Sequence, residues 1–191
     1  MGTSLYLITN SKLTGNETQK DWDGILESLK NLNLETNSYL NEKNETVKET
    51  GEWYYHIIDE EEMPYHICFE GPFNFCPEFY RNIGIISTIY RYGLLYNIYY
   101  YDWFKSFRNE LFNIVKIMGG TEVIYLPDSG SNNLVTYLES MAWENMPYEL
   151  VKQKMMEELG PPVTDYSKLN IESLNFKNIP EFFLDDFADL K

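Results

Sequence analysis

His56, His66, Cys68 and Cys76 are the chain's only imidazole and thiol groups, the side chains that zinc and related metals prefer. His66 and Cys68 stand two apart, so on a strand they face the same side, and Cys76 follows shortly after. A three-ligand cluster is geometrically conceivable from them. None of the paired spacings of metal sites is present, and buried cysteines and strand histidines are common as ordinary core and edge residues. No metal and no cofactor is expected.

A second set invites comparison with hydrolases. In "LPDSGSNN", from Leu126 to Asn133, Asp-Ser-Gly resembles the serine-nucleophile turn of the chymotrypsin-like proteases, and His56, Asp102 and Ser129 occur in the order His, Asp, Ser. The chemistry fails at the oxyanion hole. Those enzymes use the backbone N–H two residues before the serine, and here that residue is Pro127, which has none. The elbow Gly-x-Ser-x-Gly is absent too. The stretch reads as a strand-to-helix connection in which Asp128, Ser129 or Ser131 caps the next helix. "MGGTE" has the order helix, glycines, strand, the reverse of a phosphate cradle, and reads as a helix stop. No catalytic residue is assigned.

Carboxylates are too numerous for spacing to single out an acid/base pair: the chain holds 30 acidic residues against 15 basic ones, a formal charge of −15. Glu60, Glu61 and Glu62 form the densest run. On a turn they stay hydrated with ordinary acidity, which is poor for catalysis and suited to steering a cationic partner. A field of this sign repels phosphate backbones, so no nucleic acid is expected. The expected partner is a basic protein, while the same acidity also serves solubility.

The stretch Tyr90 to Phe104 holds six of the chain's 16 tyrosines. On a strand, Tyr96, Ile98 and Tyr100 face one way while Asn97, Tyr99 and Tyr101 face the other, so one row can join a core and the other meet solvent. Exposed tyrosines make favourable protein contacts, because each ring brings area and a polar tip at small entropic cost. Tyr99, Tyr101 and Trp103 are therefore candidate partner-binding residues beside Glu60, Glu61 and Glu62. Helices covering both rows would make the cluster core instead.

The elements that must position these groups follow from hydrophobic periodicity. "SLYLIT" reads as a strand, and Trp22, Ile25, Leu26, Leu29 and Leu32 as an amphipathic helix over residues 20 to 33. Residues 33 to 51 are a polar surface excursion. "EWYYHIID" and "YHICFEG" read as a hairpin with "EEEMP" as its acidic turn. Pro77 and Glu78 suit the first turn of a helix continued by Phe79, Tyr80, Ile83, Ile86 and Tyr90, ending near Gly93. "LLYNIYYY" is then a strand or a continuing helix. Asp102 caps a helix through Phe107, Leu111, Ile114, Val115 and Met118, stopped by Gly119 and Gly120. "EVIYLP" is a strand, "DSGSNN" leads into a helix with Leu134, Tyr137, Leu138 and Met141, and Pro147 opens another through Tyr148, Val151, Met155 and Leu159.

The sum is an α+β fold: a single domain over residues 1 to 165 with a mixed or antiparallel sheet of about four to five strands and four to five helices. Residues 166 to 191 form a C-terminal extension, docked by its phenylalanines or partly frayed. A composition 43% hydrophobic and 16% aromatic suffices for one full core. No apolar run approaches a membrane span of about 20 residues, and no basic segment precedes a long apolar one, so no membrane partner and a cytoplasmic address are expected. In that setting Cys68 and Cys76 are free, partly buried thiols.

In size, acidity, aromatic surface candidates ("EWYYHIIDEEE", "LLYNIYYYDW") and lack of a catalytic motif, the chain resembles the immunity proteins with which bacteria neutralise polymorphic or contact-dependent toxins. The resemblance implies tight, non-enzymatic binding to a cationic toxin domain, with acidic side chains meeting basic ones and Tyr or Trp anchors filling clefts. Two other readings stay open: a small enzyme of carboxylate or Cys/His type acting on a small polar substrate, and a structural domain whose homo-oligomer buries the tyrosine row.

Overall fold

The computed structural model describes residues 4–13, 16–32, 34, 38–40, 46–48, 52–58, 66–72, 75–91, 95, 101–128, 141–142, 144–162, 164 and 182–191. Strand β1 (Ser4–Asn10) lies inside the sheet, and its sequence shows why: Leu5 and Leu7 enter one core while Tyr6 and Ile8 enter another. A strand apolar at both parities must be covered on both faces.

Among the described residues there are nine strands and three helices. Beyond β1 and helix α1 (Gln19–Lys30) come β2 (Ser38–Leu40), β3 (Thr46–Lys48), β4 (Tyr54–Ile58), β5 (His66–Glu70), β6 (Cys76–Phe79) and β7 (Ile83–Arg91). Helix α2 (Tyr101–Ile117), β8 (Val123–Asp128), helix α3 (Tyr148–Leu159) and β9 (Phe183–Asp185) complete the order. Seven strands form one sheet in the order β4-β5-β6-β7-β1-β8-β9, every pairing antiparallel, and β2 and β3 form a separate pair. The α+β class therefore stands and the sheet is antiparallel. The expected count of four to five strands with four to five helices is corrected for the described residues, where strands are more numerous and helices fewer; the helix expected from Leu134 to Met141 lies mostly outside them.

Much of that correction comes from residues 77 to 90, expected as a helix and found as the β6–β7 hairpin. Phe79, Tyr80, Ile83, Ile86 and Tyr90 do recur at helical spacing. They also satisfy a two-residue period on two faces, with Ile83 and Ile85 in one core and Ile86 and Tyr90 in the other. A strand buried on both sides gives a continuous apolar run that periodicity alone does not separate from a helix, and the β-branched content of "IGIISTIY" decides it. Pro77 lies opposite Ile86, while the β5 pairing covers only Ile67 with Phe79 and Cys68 with Glu78, stopping short of the proline.

Helices α1 and α2 cover the first face. Trp22 and Leu29 of α1, and Phe104, Phe107, Leu111, Ile114 and Val115 of α2, pack with Leu5, Leu7, Ile67, Phe69, Ile86, Val123 and Tyr125. At the start of α1 the Asp21 carboxylate accepts the Thr18 backbone N–H at 2.7 Å, which holds its pKa below the usual value. Helix α2 ends where expected: Gly119, at φ 75°, donates to Lys116 O and Gly120 donates to Val115 O, the paired bonds of a left-handed helix stop.

Helix α3 covers part of the second face, setting Tyr148, Val151 and Met155 on Tyr6, Ile8, Ile85, Ile124 and Leu126. Residues 182–191 reach both layers: Phe182 joins the second core, Phe183 and Phe187 the first, and β9 extends the sheet beyond β8. Residues 96–100, 129–140 and 165–181 lie outside the described residues, and with them most of the tyrosine run, the "DSGSNN" connection and the start of the C-terminal extension.

Candidate functional site

Among the described residues the second core packs on β7, β1 and β8, whereas over β4, β5 and β6 the side chains of that face are half-buried or exposed, the buried His66 excepted. Register places the groups there. Tyr54 lies opposite Glu70 and His56 opposite Cys68 across β4 and β5, and Cys68 lies opposite Glu78 across β5 and β6. Cys76 lies opposite Ser87, and Glu78 opposite Ile85, on β7. Facing residues share a side of the sheet, so Tyr54, His56, Cys68, Glu70, Cys76 and Glu78 form one patch. Within it, thiols and carboxylates alternate both along each strand and across the pair.

Hydrogen bonds fix the polar rim. The Tyr54 hydroxyl donates to Glu70 Oε2, and His56 Nε2 lies 3.2 Å from Glu70 Oε1. The Tyr54 ring meets the His56 ring edge-on at 5.3 Å, and the Tyr80 hydroxyl donates to Glu78 Oε2 at 3.1 Å. The hydrogen bond to Glu70 is the first cause that raises the Tyr54 phenol pKa, ahead of burial. Among the described residues, neither Glu70 nor Glu78 has a lysine or arginine partner. Tyr54 remains 47% exposed.

The thiols are set against nucleophilic work. Burial, then the Glu78 carboxylate, pushes Cys68 up to about 12, and burial with Glu70 and Glu78 raises Cys76. A thiol held neutral is a weak nucleophile and a weak ligand, because both roles belong to the thiolate. Both cysteines are free. Buried His66 stacks on Tyr80 with ring centroids 4.7 Å apart. Among the described residues no three His, Cys, Asp or Glu side chains are grouped to hold a metal ion.

Nor do His56 and Asp102 pair, and Ser129 lies outside the described residues. The Asp102 side chain is 99% exposed and pairs with Lys105, whereas the aspartate of a catalytic triad is buried against its histidine. His56 pairs instead with Glu70.

Of the residues expected to bind a partner, Glu60, Glu61, Glu62 and Tyr99 lie outside the described residues, as does the side chain of Tyr101, whose backbone begins α2. Glu60 to Glu62 fall in the segment joining β4 to β5, at the end of the strand that carries His56 and Tyr54. Trp103 is half-buried, stacked on Phe107 at 5.1 Å and edge-on to Tyr90 at 4.7 Å, and so packs on the first core, across the sheet from Tyr54. Sequence reasoning named His56 only as a possible metal ligand or triad member and Tyr54 only within "EWYYHIIDEEE", and it did not single out Glu70 or Glu78. The alternation of "YYHII" and "HICFE" about a hairpin could have paired the first three; Glu78 was hidden by the helical reading of its strand.

Comparison of the chain with family models, curated proteins and solved structures returned no match. Among the described residues, no helix is long and apolar enough to cross a membrane.

Proposed function

We propose that this chain is a non-enzymatic binding protein, of the kind by which a bacterium neutralises a toxin in its own cytoplasm, and that it engages a basic protein through the open face over β4, β5 and β6. The observation that supports this most directly is the pair Glu70 and Glu78: half-buried carboxylates on one sheet face, lacking a lysine or arginine partner among the described residues and flanked by Tyr54 and Tyr80. A guanidinium or ammonium group arriving from a partner would supply the missing charge, and the exposed Tyr54 ring would supply apolar area. The formal charge of −15 would speed that encounter at low salt. Glu60, Glu61 and Glu62 follow β4 closely in sequence and add to the acidity of the chain there.

The raised thiols weigh against a cysteine enzyme at the same place. The test is capture from the native cells with the tagged protein, run beside a Glu70→Lys/Glu78→Lys variant. The expected result is one stoichiometric basic protein held by the native chain, released as salt rises and absent from the variant. An identical set of proteins on both baits would refute the face as the docking site.

A further inference from the structure

The two ends of the seven-stranded sheet are built differently. β9, at one end, has three residues, closes on Asp185 and is followed at once by Asp186. Shortness and charge are the usual means of keeping a foreign strand from adding to an edge. β4, at the other end, reads Tyr-Tyr-His-Ile-Ile, without lysine, proline or carboxylate. It pairs with β5 in unbroken register from Tyr54 and Glu70 to Ile58 and His66, so no bulge twists the edge away. Tyr54 on one side of the strand is 47% exposed and Ile57 on the other is 42% exposed. Among the described residues nothing is hydrogen-bonded to the outer edge of β4.

An edge without bulge, proline, lysine or carboxylate invites a strand, and charge selects which. Pairing with a second copy would bring together two chains of formal charge −15. In sequence β4 is bracketed by Glu52 before it and by Asp59, Glu60, Glu61 and Glu62 after it. A segment lying along β4 thus meets Tyr54 and Ile57, with the exposed Glu52 just before the strand.

We propose that β4 receives an extended segment of the basic partner as an additional strand of the sheet, with lysines or arginines among its side chains and apolar ones facing Tyr54 and Ile57. Backbone hydrogen bonds supply affinity in this mode, and alternating side chains supply selectivity. The inference rests on the basic-partner reading and adds the manner of docking.

The test uses the full chain and a synthetic peptide of alternating arginine and valine. Beside it run two twins N-methylated at alternate amides, one for each edge of the strand, and an aspartate–valine counterpart. The expected result is binding of the arginine peptide that weakens with salt, slowed amide exchange across residues 54–58, and no binding of the aspartate peptide. At least one methylated twin should bind about tenfold or more weakly. Ile57→Lys, at an exposed position, should lose the peptide while keeping the unfolding midpoint. Equal affinity of both twins and parent would overturn strand addition and leave attraction by charge alone, with the basic-partner reading intact. A dimer in sedimentation that Ile57→Lys dissociates would identify a second copy as the occupant and overturn the proposal. Absence of binding by every peptide would overturn it too, while capture from native cells judges the basic-partner reading separately.

Discussion

Arg108 of α2 grips Asp185 of β9 with two hydrogen bonds from one side of its guanidinium, Nε to Oδ2 and Nη2 to Oδ1, the latter 2.7 Å long. Both side chains are buried. The remaining donors reach Asp189, with Nη1 to Oδ2 at 2.8 Å, and Asp185 also accepts the Phe187 backbone N–H at 2.9 Å and the Tyr125 hydroxyl at 3.3 Å. One cation thus ties the last residues of the chain to the middle of the fold. Arg108→Ala strands Asp185 without its cation in a dry site, a loss of about 3–5 kcal/mol. Urea unfolding should show that loss, and limited proteolysis should show the C-terminal residues cut first. Lysine should restore little, because a point charge does not reproduce the planar fork.

That clamp also marks the limit of what the sequence discloses. Helix α2, its glycine stop, α3, β1, β8 and the β4–β5 hairpin were legible, because each has one dominant period and a clear terminus. Residues 77 to 90 were not, since Ile83, Ile85, Ile86 and Tyr90 serve two cores at once. The run Glu60 to Glu62 lies in sequence between the strands that carry Tyr54, His56 and Glu70, but Glu70 and Glu78 become neighbours only through the β5–β6 register, and that register depends on a strand misread as a helix. Arg108 and Asp185 lie on a helix and a strand far apart in sequence, so no local pattern announces their pairing.

Stability should fall at both extremes of pH. Burial, then the charge of Asp185, raises the Tyr125 phenol well above its usual value, and burial, then Glu122, does the same for Tyr148. The folded state keeps these protons when the unfolded chain has released them. Their contribution is complete below the unfolded value of about 10 and is lost as pH climbs beyond it. Asp189, lowered first by its hydrogen bond from Arg108, and Asp21, lowered by Thr18, act in the opposite sense. Their contribution is present above about 3.9 and disappears as pH falls through the lower folded values. Denaturant midpoints measured across pH should trace a plateau with two falling limbs, and phenolate absorbance should show buried tyrosines ionising only as the protein unfolds.

The native thiols should be sluggish. At a pKa of about 12, Cys68 is ionised roughly a thousandfold less than an unperturbed cysteine at neutral pH. Alkylation by iodoacetamide should be slow in buffer and fast in urea. Glu78→Gln removes the negative charge that ranks after burial as a cause of the shift, so it should lower the Cys68 pKa and speed the native reaction. An unchanged rate would mean that the Glu78 charge does not contribute to the acidity of Cys68.

Two glycines should respond to alanine with opposite sign. A Cβ on Gly120 would sit 2.6 Å from the backbone oxygen of Asn10 and 2.7 Å from Thr9 Oγ1, contacts that force the helix stop away from β1. Gly120→Ala should cost about 1–3 kcal/mol. Gly24, inside α1, has nothing within 4 Å of the same added atom. Gly24→Ala should stabilise by about 0.5–1 kcal/mol through the lower backbone entropy of the unfolded chain. Paired urea titrations of the two variants against the parent check both signs.

Tyr54 and Trp103 should separate binding from folding. Tyr54 stands exposed on the open face, and its hydroxyl meets Glu70 where water competes. Tyr54→Ala should therefore change stability by no more than about 0.5 kcal/mol while weakening the partner that the native chain captures. Trp103 is locked between Phe107 and Tyr90 on the opposite side of the sheet. Trp103→Ala should cost roughly 2 kcal/mol or more in stability, the part-buried version of a core aromatic truncation, and leave binding by the folded fraction unchanged. Denaturation and partner affinity measured on both variants decide which of the two aromatics is an anchor. Stable folding with lost binding for Trp103→Ala would move the docking surface to the first face, beside α2. The reverse pattern keeps it over β4, where the tyrosine, the carboxylates and the open strand edge already meet.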